Sequence, residues 1–172
     1  MDDTTRPDGI EHRHIHEAHG TRLHAWPTGL AILALAIAVF GVFGRRDTVT
    51  AEGDRVRLSV EGPSRIRSGE LFEMLFTIET DREIRDAVLS VGPEIWHEVT
   101  INTVIPEPTE ESFSDGSFEF HFGALRPGSR LLVKVDAQIN PVYPPGNNEA
   151  VVALIDGPAT LVALDYSMRV YP

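Results

Sequence analysis

Two hydrophobic periodicities divide this chain. Residues 25–44 carry no charged side chain, and the run stops at Arg45-Arg46. A bilayer hydrocarbon core of roughly 30 Å takes about 20 mostly apolar residues in a helix, so this stretch is predicted as a single transmembrane α-helix. Trp26 stands where an interfacial aromatic anchor belongs, and Phe40 and Phe43 lie near the other end. Pro27 suits the first helical turn, where its missing N–H costs nothing. A cleavable signal peptide fits less well, because its apolar core spans roughly 7–15 residues and Gly44 before two arginines is a poor cleavage site.

Beyond the arginines the period becomes two. Residues 55–60 alternate cleanly, with Val56, Leu58 and Val60 on one face. Strands are predicted over 71–78, 84–91 and 96–105, broken by Gly92-Pro93 and closed by Pro106-Glu107-Pro108. Residues 112–122 read as a hairpin about Asp115-Gly116, with Phe118, Phe120 and Phe122 on one side and Glu119 and His121 on the other. Further strands fall over 131–139, 150–155 and 160–170, after the turn at 123–128 and the Pro-, Gly- and Asn-rich loop at 141–148. In the first of these, Leu131, Val133, Val135 and Ala137 share a side. No helical pattern is read after Gly44. Seven to nine short strands with regular turn signals predict an all-β fold, a two-sheet Greek-key β-sandwich.

The organisation that follows is a polar tail at 1–24, expected to be disordered, the helix at 25–44, a linker at 45–54, and a sandwich domain at 55–172. Ala34, Ala38 and Gly41 fall close to one stripe of the helix. Small residues at such spacing permit close helix approach, hence self-association or pairing with another membrane protein. Sidedness is contested within the sequence. Arg45 and Arg46 directly after the helix favour a cytoplasmic C-terminus, whereas long domains translocate largely regardless of charge. The architecture of anchor plus acidic all-β domain sets the expectation of N-terminus inside and domain outside the cytoplasmic membrane.

Net charge is −11, and from Asp47 onward there are 21 acidic against 10 basic residues, so the domain holds the whole imbalance. A nucleic-acid surface needs the opposite sign, and none is expected. There is no cysteine, which removes disulfides, thiol catalysis and Cys-ligated clusters.

The succession of Asp115-Gly116, an aromatic-rich strand, Gly123-x-Leu125-x-Pro127-Gly128, a long alternating strand and a Gly/Asn-rich loop resembles bacterial immunoglobulin-like surface domains. The stretch Trp96…Thr100-Ile101-Asn102-Thr103…Pro106-x-Pro108, with Gln138-Ile139-Asn140-Pro141 later, is similar to a group of small bacterial single-pass membrane proteins whose role is not assigned. The resemblance covers most of residues 55–172. It implies an immunoglobulin-like sandwich and anchoring, and it brings no activity with it.

Five of the seven histidines, His12, His14, His16, His19 and His24, lie in the tail, and on a helix His12, His16 and His19 would share a face. Metal sites need convergent ligands with supporting partners, which a tail without apolar periodicity does not supply. His97 and His121 are read as exposed strand residues, the acidic stretch Glu107, Glu110, Glu111 and Asp115 as a solvated loop, Asn102 as a backbone-bonding side chain, and Trp96 as core or a plug at the sandwich edge. No nucleophile–base pair, metal motif or phosphate-cradling loop occurs, so no catalytic residue, metal or cofactor is expected. The expected function is a membrane-anchored, non-enzymatic extracytoplasmic interaction module that contacts the lipid bilayer through residues 25–44 and binds a membrane or envelope partner. The alternative is an accessory enzyme or metal-handling protein that uses the tail histidines or His97.

Overall fold

The computed structural model describes residues 25–42 and 45–172. The chain divides into two units between Val39 and Phe40. Helix α1 spans Ala25–Val42, 18 residues without a charge, and so measures about 27 Å at a rise of 1.5 Å per residue. Among the described residues no helix is long and apolar enough to cross a membrane. Trp26, Leu30, Ile32, Leu33 and Leu35 are all exposed. Ala34 is exposed too, while the side chains of Ala38 and Gly41 lie outside the described ones, as do Phe43, Gly44 and the whole tail with His12, His14, His16, His19 and His24.

From Arg46 onward the fold is a two-sheet β-sandwich. Its strands are β1 (Arg46–Gly53), β2 (Val56–Pro63), β3 (Arg65–Arg67), β4 (Leu71–Thr80), β5 (Val88–Val91), β6 (Val99–Ile105), β7 (Glu110–Ser114), β8 (Ser117–His121), β9 (Ser129–Ile139), β10 (Gly146–Asp156) and β11 (Ala159–Tyr171), with one helical turn, α2 (Pro93–Trp96), before β6. The first sheet has the order β1-β2-β4-β9-β6 and the second β3-β11-β10-β5-β8-β7. Both sheets are antiparallel except where β3 pairs parallel with the end of β11, Arg65 opposite Arg169. Long-range insertions set the order: β9 lies between β4 and β6, and β5 between β10 and β8.

Alternation builds the core between the sheets. Leu58 and Val60 of β2, Phe76 and Ile78 of β4 and Val133 and Val135 of β9 face Val152 and Leu154 of β10 and Leu164, Tyr166 and Met168 of β11. Phe120 is 3% exposed, whereas Phe118 and Phe122 are partly covered at its rim. The sheets approach closely at Gly62, where an added Cβ would meet the Tyr166 hydroxyl at 2.6 Å. That hydroxyl donates to the Pro63 carbonyl at 3.0 Å. The hairpin at Asp115-Gly116 forms as predicted, and both residues take the positive φ (48° and 80°) that a tight hairpin turn requires.

Four expectations are corrected. The stretch 45–54 is no linker: β1 pairs along its whole length with β2, from Arg46 opposite Pro63 to Gly53 opposite Val56. It is an edge strand that turns only Val49 and Ala51 toward the core, too few apolar residues to announce a strand. Residues 84–91 are not one strand, since Ile84 makes an isolated bridge to Leu125 and regular pairing starts at Val88. Trp96 is core but not in a strand, because Pro93 opens a helical turn that the His97 N–H closes on the Pro93 carbonyl at 2.7 Å. The described strands number eleven, more than the seven to nine expected.

Phe120→Ala is expected to cost about 3–5 kcal/mol in chemical denaturation, while Phe113→Ala, at a side chain 62% exposed, costs well under half of that. A chain beginning at Arg45 is expected to melt cooperatively with an all-β circular dichroism spectrum. One beginning at Asp54, which lacks β1, is expected to lose about 2 kcal/mol as Val49 and Ala51 leave the core. Equal stability of the two fragments would show that β1 is dispensable.

Candidate functional site

The two histidines of the sandwich lie in separate settings. His121, near the end of β8, places Nδ1 2.7 Å from Asp86 Oδ2, and Asp86 Oδ1 accepts the Gly123 N–H at 3.1 Å. Behind this pair Asp156, 7% exposed, accepts the backbone N–H groups of Arg85 and Asp86 at 3.2 and 3.3 Å. Asp156 thus satisfies the backbone of the segment that interrupts the predicted strand at 84–87, Asp86 ties that segment to the Gly123 turn, and His121 steadies Asp86. This clamp was not foreseen from sequence; acidic residues at the start and end of irregular segments were its only signal.

His97 caps α2. Its Nδ1 is 3.2 Å from the Pro93 carbonyl, and its ring lies 5.3 Å from that of Tyr143. Tyr143, 1% exposed, donates its hydroxyl to the Glu94 carbonyl at 2.7 Å, which ties the Pro-rich loop to α2. His97 and His121 are not brought together. Trp96 packs against Phe76, Phe118 and Phe120 with ring centroids 6.1, 6.3 and 5.2 Å away, and its indole Nε1 is buried without a hydrogen-bond partner. Asn102 takes the extra position of a bulge in β6, between Ile101 opposite Ala137 and Thr103 opposite Asp136. Glu107, Glu110, Glu111 and Asp115 are exposed, and among the described residues no group of three acidic or histidine side chains could hold a metal ion.

Charge is organised on the outer face of the first sheet. Arg46 reaches Glu73 at 2.9 Å and Glu61 at 3.3 Å, and Lys134 reaches Glu73 at 2.6 Å and Asp136 at 3.4 Å. A second group joins Arg57 to Glu52 and Glu79, with Arg130 also on Glu79. Lys134, then Arg46, hold the Glu73 carboxyl below its ordinary value. Such exposed pairs contribute little stability each, but they leave few charges on this face unengaged.

Two open clefts border the charged face. One, of about 510 Å³, lies by the β1–β2 turn, where β4 ends beside the start of β9, and is lined by Glu52, Arg57, Glu79, Asp81 and Arg130. The other, of about 440 Å³, lies at the opposite end of the strands, where Arg45, Arg46 and Arg65 surround Ile66, Leu71 and Phe72.

No protein-family model matches the chain, and no curated protein matches it. Similar solved structures include a CARDB domain from Pyrococcus furiosus in complex with di-metal ions (9% identity, 73% of this chain and 93% of that one, TM-score 0.43). Others are CaCohA2 from Clostridium acetobutylicum (15% identity, 69% and 92% covered, TM-score 0.44) and the reeler domain of human F-spondin (16% identity, 70% and 96% covered, TM-score 0.43). With scores below 0.5 these likenesses carry no functional weight, and the β-sandwich rests on the sheet order itself.

Burial, and secondarily Glu94, push the Tyr143 hydroxyl up to about 12. Its proton is therefore held more tightly in the folded chain than in the unfolded one. The resulting stability is fully present below the ordinary tyrosine value of 10.0 and is lost as pH rises from there through 12. Tyr143→Phe is expected to cost about 0.5–1.5 kcal/mol near pH 7 through the lost hydrogen bond, and to flatten the fall of stability between pH 10 and 12. Urea midpoints across that range check both effects.

Proposed function

We propose that the chain is a single-pass membrane protein whose immunoglobulin-like sandwich acts as a non-enzymatic interaction module on the extracytoplasmic side. The observation that carries this reading is α1, an uncharged helix with large apolar side chains exposed at Trp26, Leu30, Ile32, Leu33 and Leu35. Removing one such side chain from water stabilises by about 1.5–3 kcal/mol, and hydrocarbon is the environment that accepts all of them together. The helix runs to Val42, and in sequence the uncharged run continues through Phe43 and Gly44 to 20 residues, about the number that a bilayer core takes.

The sandwich supports the second half of the reading. Its histidines and buried acids serve backbone and packing, whereas its outer surface presents alternating charge pairs with exposed Leu132 and Ile105 between them. Such a surface suits protein contact, with charge for register and apolar side chains for affinity.

Full-length protein is expected to stay in the membrane pellet through alkaline carbonate extraction, and a chain lacking residues 25–44 to be released. Protease added to intact spheroplasts is expected to digest the sandwich. Survival of the sandwich until the membrane is breached would reverse the sidedness and direct the partner search to the cytoplasm.

A further inference from the structure

The second cleft lies at an end of the sandwich where five arginines gather. Three connections gather it. The Ser64 N–H donates to the Arg45 carbonyl at 3.3 Å, the Arg169 N–H to the Ser64 carbonyl at 2.9 Å, and the Ser68 N–H to the Tyr171 carbonyl at 2.8 Å. Together with the parallel pairing of β3 and β11, they bring Arg45, Arg46, Arg65, Arg67 and Arg169 to one end of a chain whose net charge is −11.

Three carboxylates also line the cleft, Glu70, Glu73 and Asp136, and each is already engaged. Glu73 holds Arg46 and Lys134, Asp136 holds Lys134, and Glu70 Oε2 accepts the Arg67 backbone N–H at 3.0 Å. Among the described residues no carboxylate lies within ion-pair distance of Arg45 or Arg65. Arg45 and Arg65 therefore line, without an ion-pair partner, a cleft that Ile66, Leu71 and Phe72 line with them.

The same end also carries the most exposed apolar side chains of the sandwich. Leu71 is 66% exposed and Val142 73% exposed. The segments that carry them are tied together, the Ser68 hydroxyl donating to the Pro141 carbonyl at 3.1 Å and the Gly69 N–H to the Ile139 carbonyl at 3.0 Å. Arginine donors match phosphate geometry, and apolar tips beside them suit the headgroup–acyl boundary. Arg45 follows the last residue of α1, Val42, by three positions. An occupant rich in both phosphate and hydrocarbon is thus within reach of the cleft if α1 lies in lipid.

We infer that this end docks onto the membrane surface, with the phosphate of an anionic phospholipid headgroup between Arg45 and Arg65 and with Leu71 and Val142 in the interfacial layer. This rests on the anchoring proposed above and adds to it a specific lipid-facing end and a charge requirement. Each arginine facing an anionic surface shifts the docked-to-undocked ratio about fivefold.

The absence of cysteine makes the test direct. Full-length Leu71→Cys, Val142→Cys and, as a control on the outer face of the second sheet, Ala163→Cys are spin-labelled in nanodiscs of phosphatidylcholine alone or with phosphatidylglycerol. Accessibility to oxygen and to a water-soluble relaxant is then read for each label. The labels at 71 and 142 are expected to enter the lipid interface only with phosphatidylglycerol, while the label at 163 stays in water. Arg45→Glu/Arg65→Glu, or Arg45→Gln/Arg65→Gln should the acidic pair fail to fold, is expected to return them to water. Labels that remain in water in both lipids, or that enter both equally, overturn the inference. Displacement of the labels by inorganic phosphate at the same phosphate concentration would also overturn it, because the seat would then be one for free phosphate. Vesicle flotation separates the two readings. A chain that floats with both lipids while its labels stay in water retains the anchor and loses only this inference. A chain that floats with neither loses both.

Discussion

Mutual coverage of two half-apolar sheets is the constraint from which the sandwich follows. A strand that alternates inward and outward side chains has one face that water disfavours, and a single sheet cannot cover its own. Here Phe76 of β4 and Phe120 of β8 meet Trp96 across the gap between the sheets, and Tyr166 of β11 reaches Pro63 of β2. These contacts join residues far apart in sequence, so each sheet gains stability only when the other is present. The small residue at Gly62 belongs to the same constraint, because a side chain there would push Tyr166 out.

Polar groups that the alternation leaves behind are handled locally. The irregular segment between Ile84 and Val88 cannot complete ladder hydrogen bonds, and Asp86 and Asp156 supply acceptors for its N–H groups and for the neighbouring loop. A buried carboxylate such as that of Asp156 is costly without donors and stabilising with them. His121 and Tyr143 play comparable parts at opposite ends of the domain, each tying a loop to its neighbour through side-chain hydrogen bonding. Groups that look reactive in a list of residues are thus engaged in holding the backbone.

Charge follows a different logic. The domain is acidic overall, yet the outer face of the first sheet pairs most of its carboxylates with Arg46, Arg57, Arg130 and Lys134. Arg45, Arg65, Arg67 and Arg169 gather where β1 begins and β11 ends. A membrane-anchored reading of α1 gives that segregation a physical purpose, since basic side chains beside lipid phosphates lower the energy of an otherwise repelled acidic domain.

Local chemistry was enough for several features. An uncharged helical stretch, period-two strands, the Asp115-Gly116 turn and the inward positions of Val133, Val135 and Phe120 all depend on neighbours within a few residues, so the sequence by itself determined them. Sites were less accessible: His97 and His121 could be singled out, but not that one would cap α2 and the other would meet Asp86, 35 positions away. Only the tertiary structure decided that residues 46–53 form an edge strand, because two inward side chains are meaningful only once β2 lies beside them. It also decided that Arg65 lies beside Arg169 and that the segment carrying Leu71 is tied to the loop holding Val142. The physical reason is common to these cases: sheet pairing joins strands at any sequence separation, and side chains that share an end of the sandwich need share no local pattern.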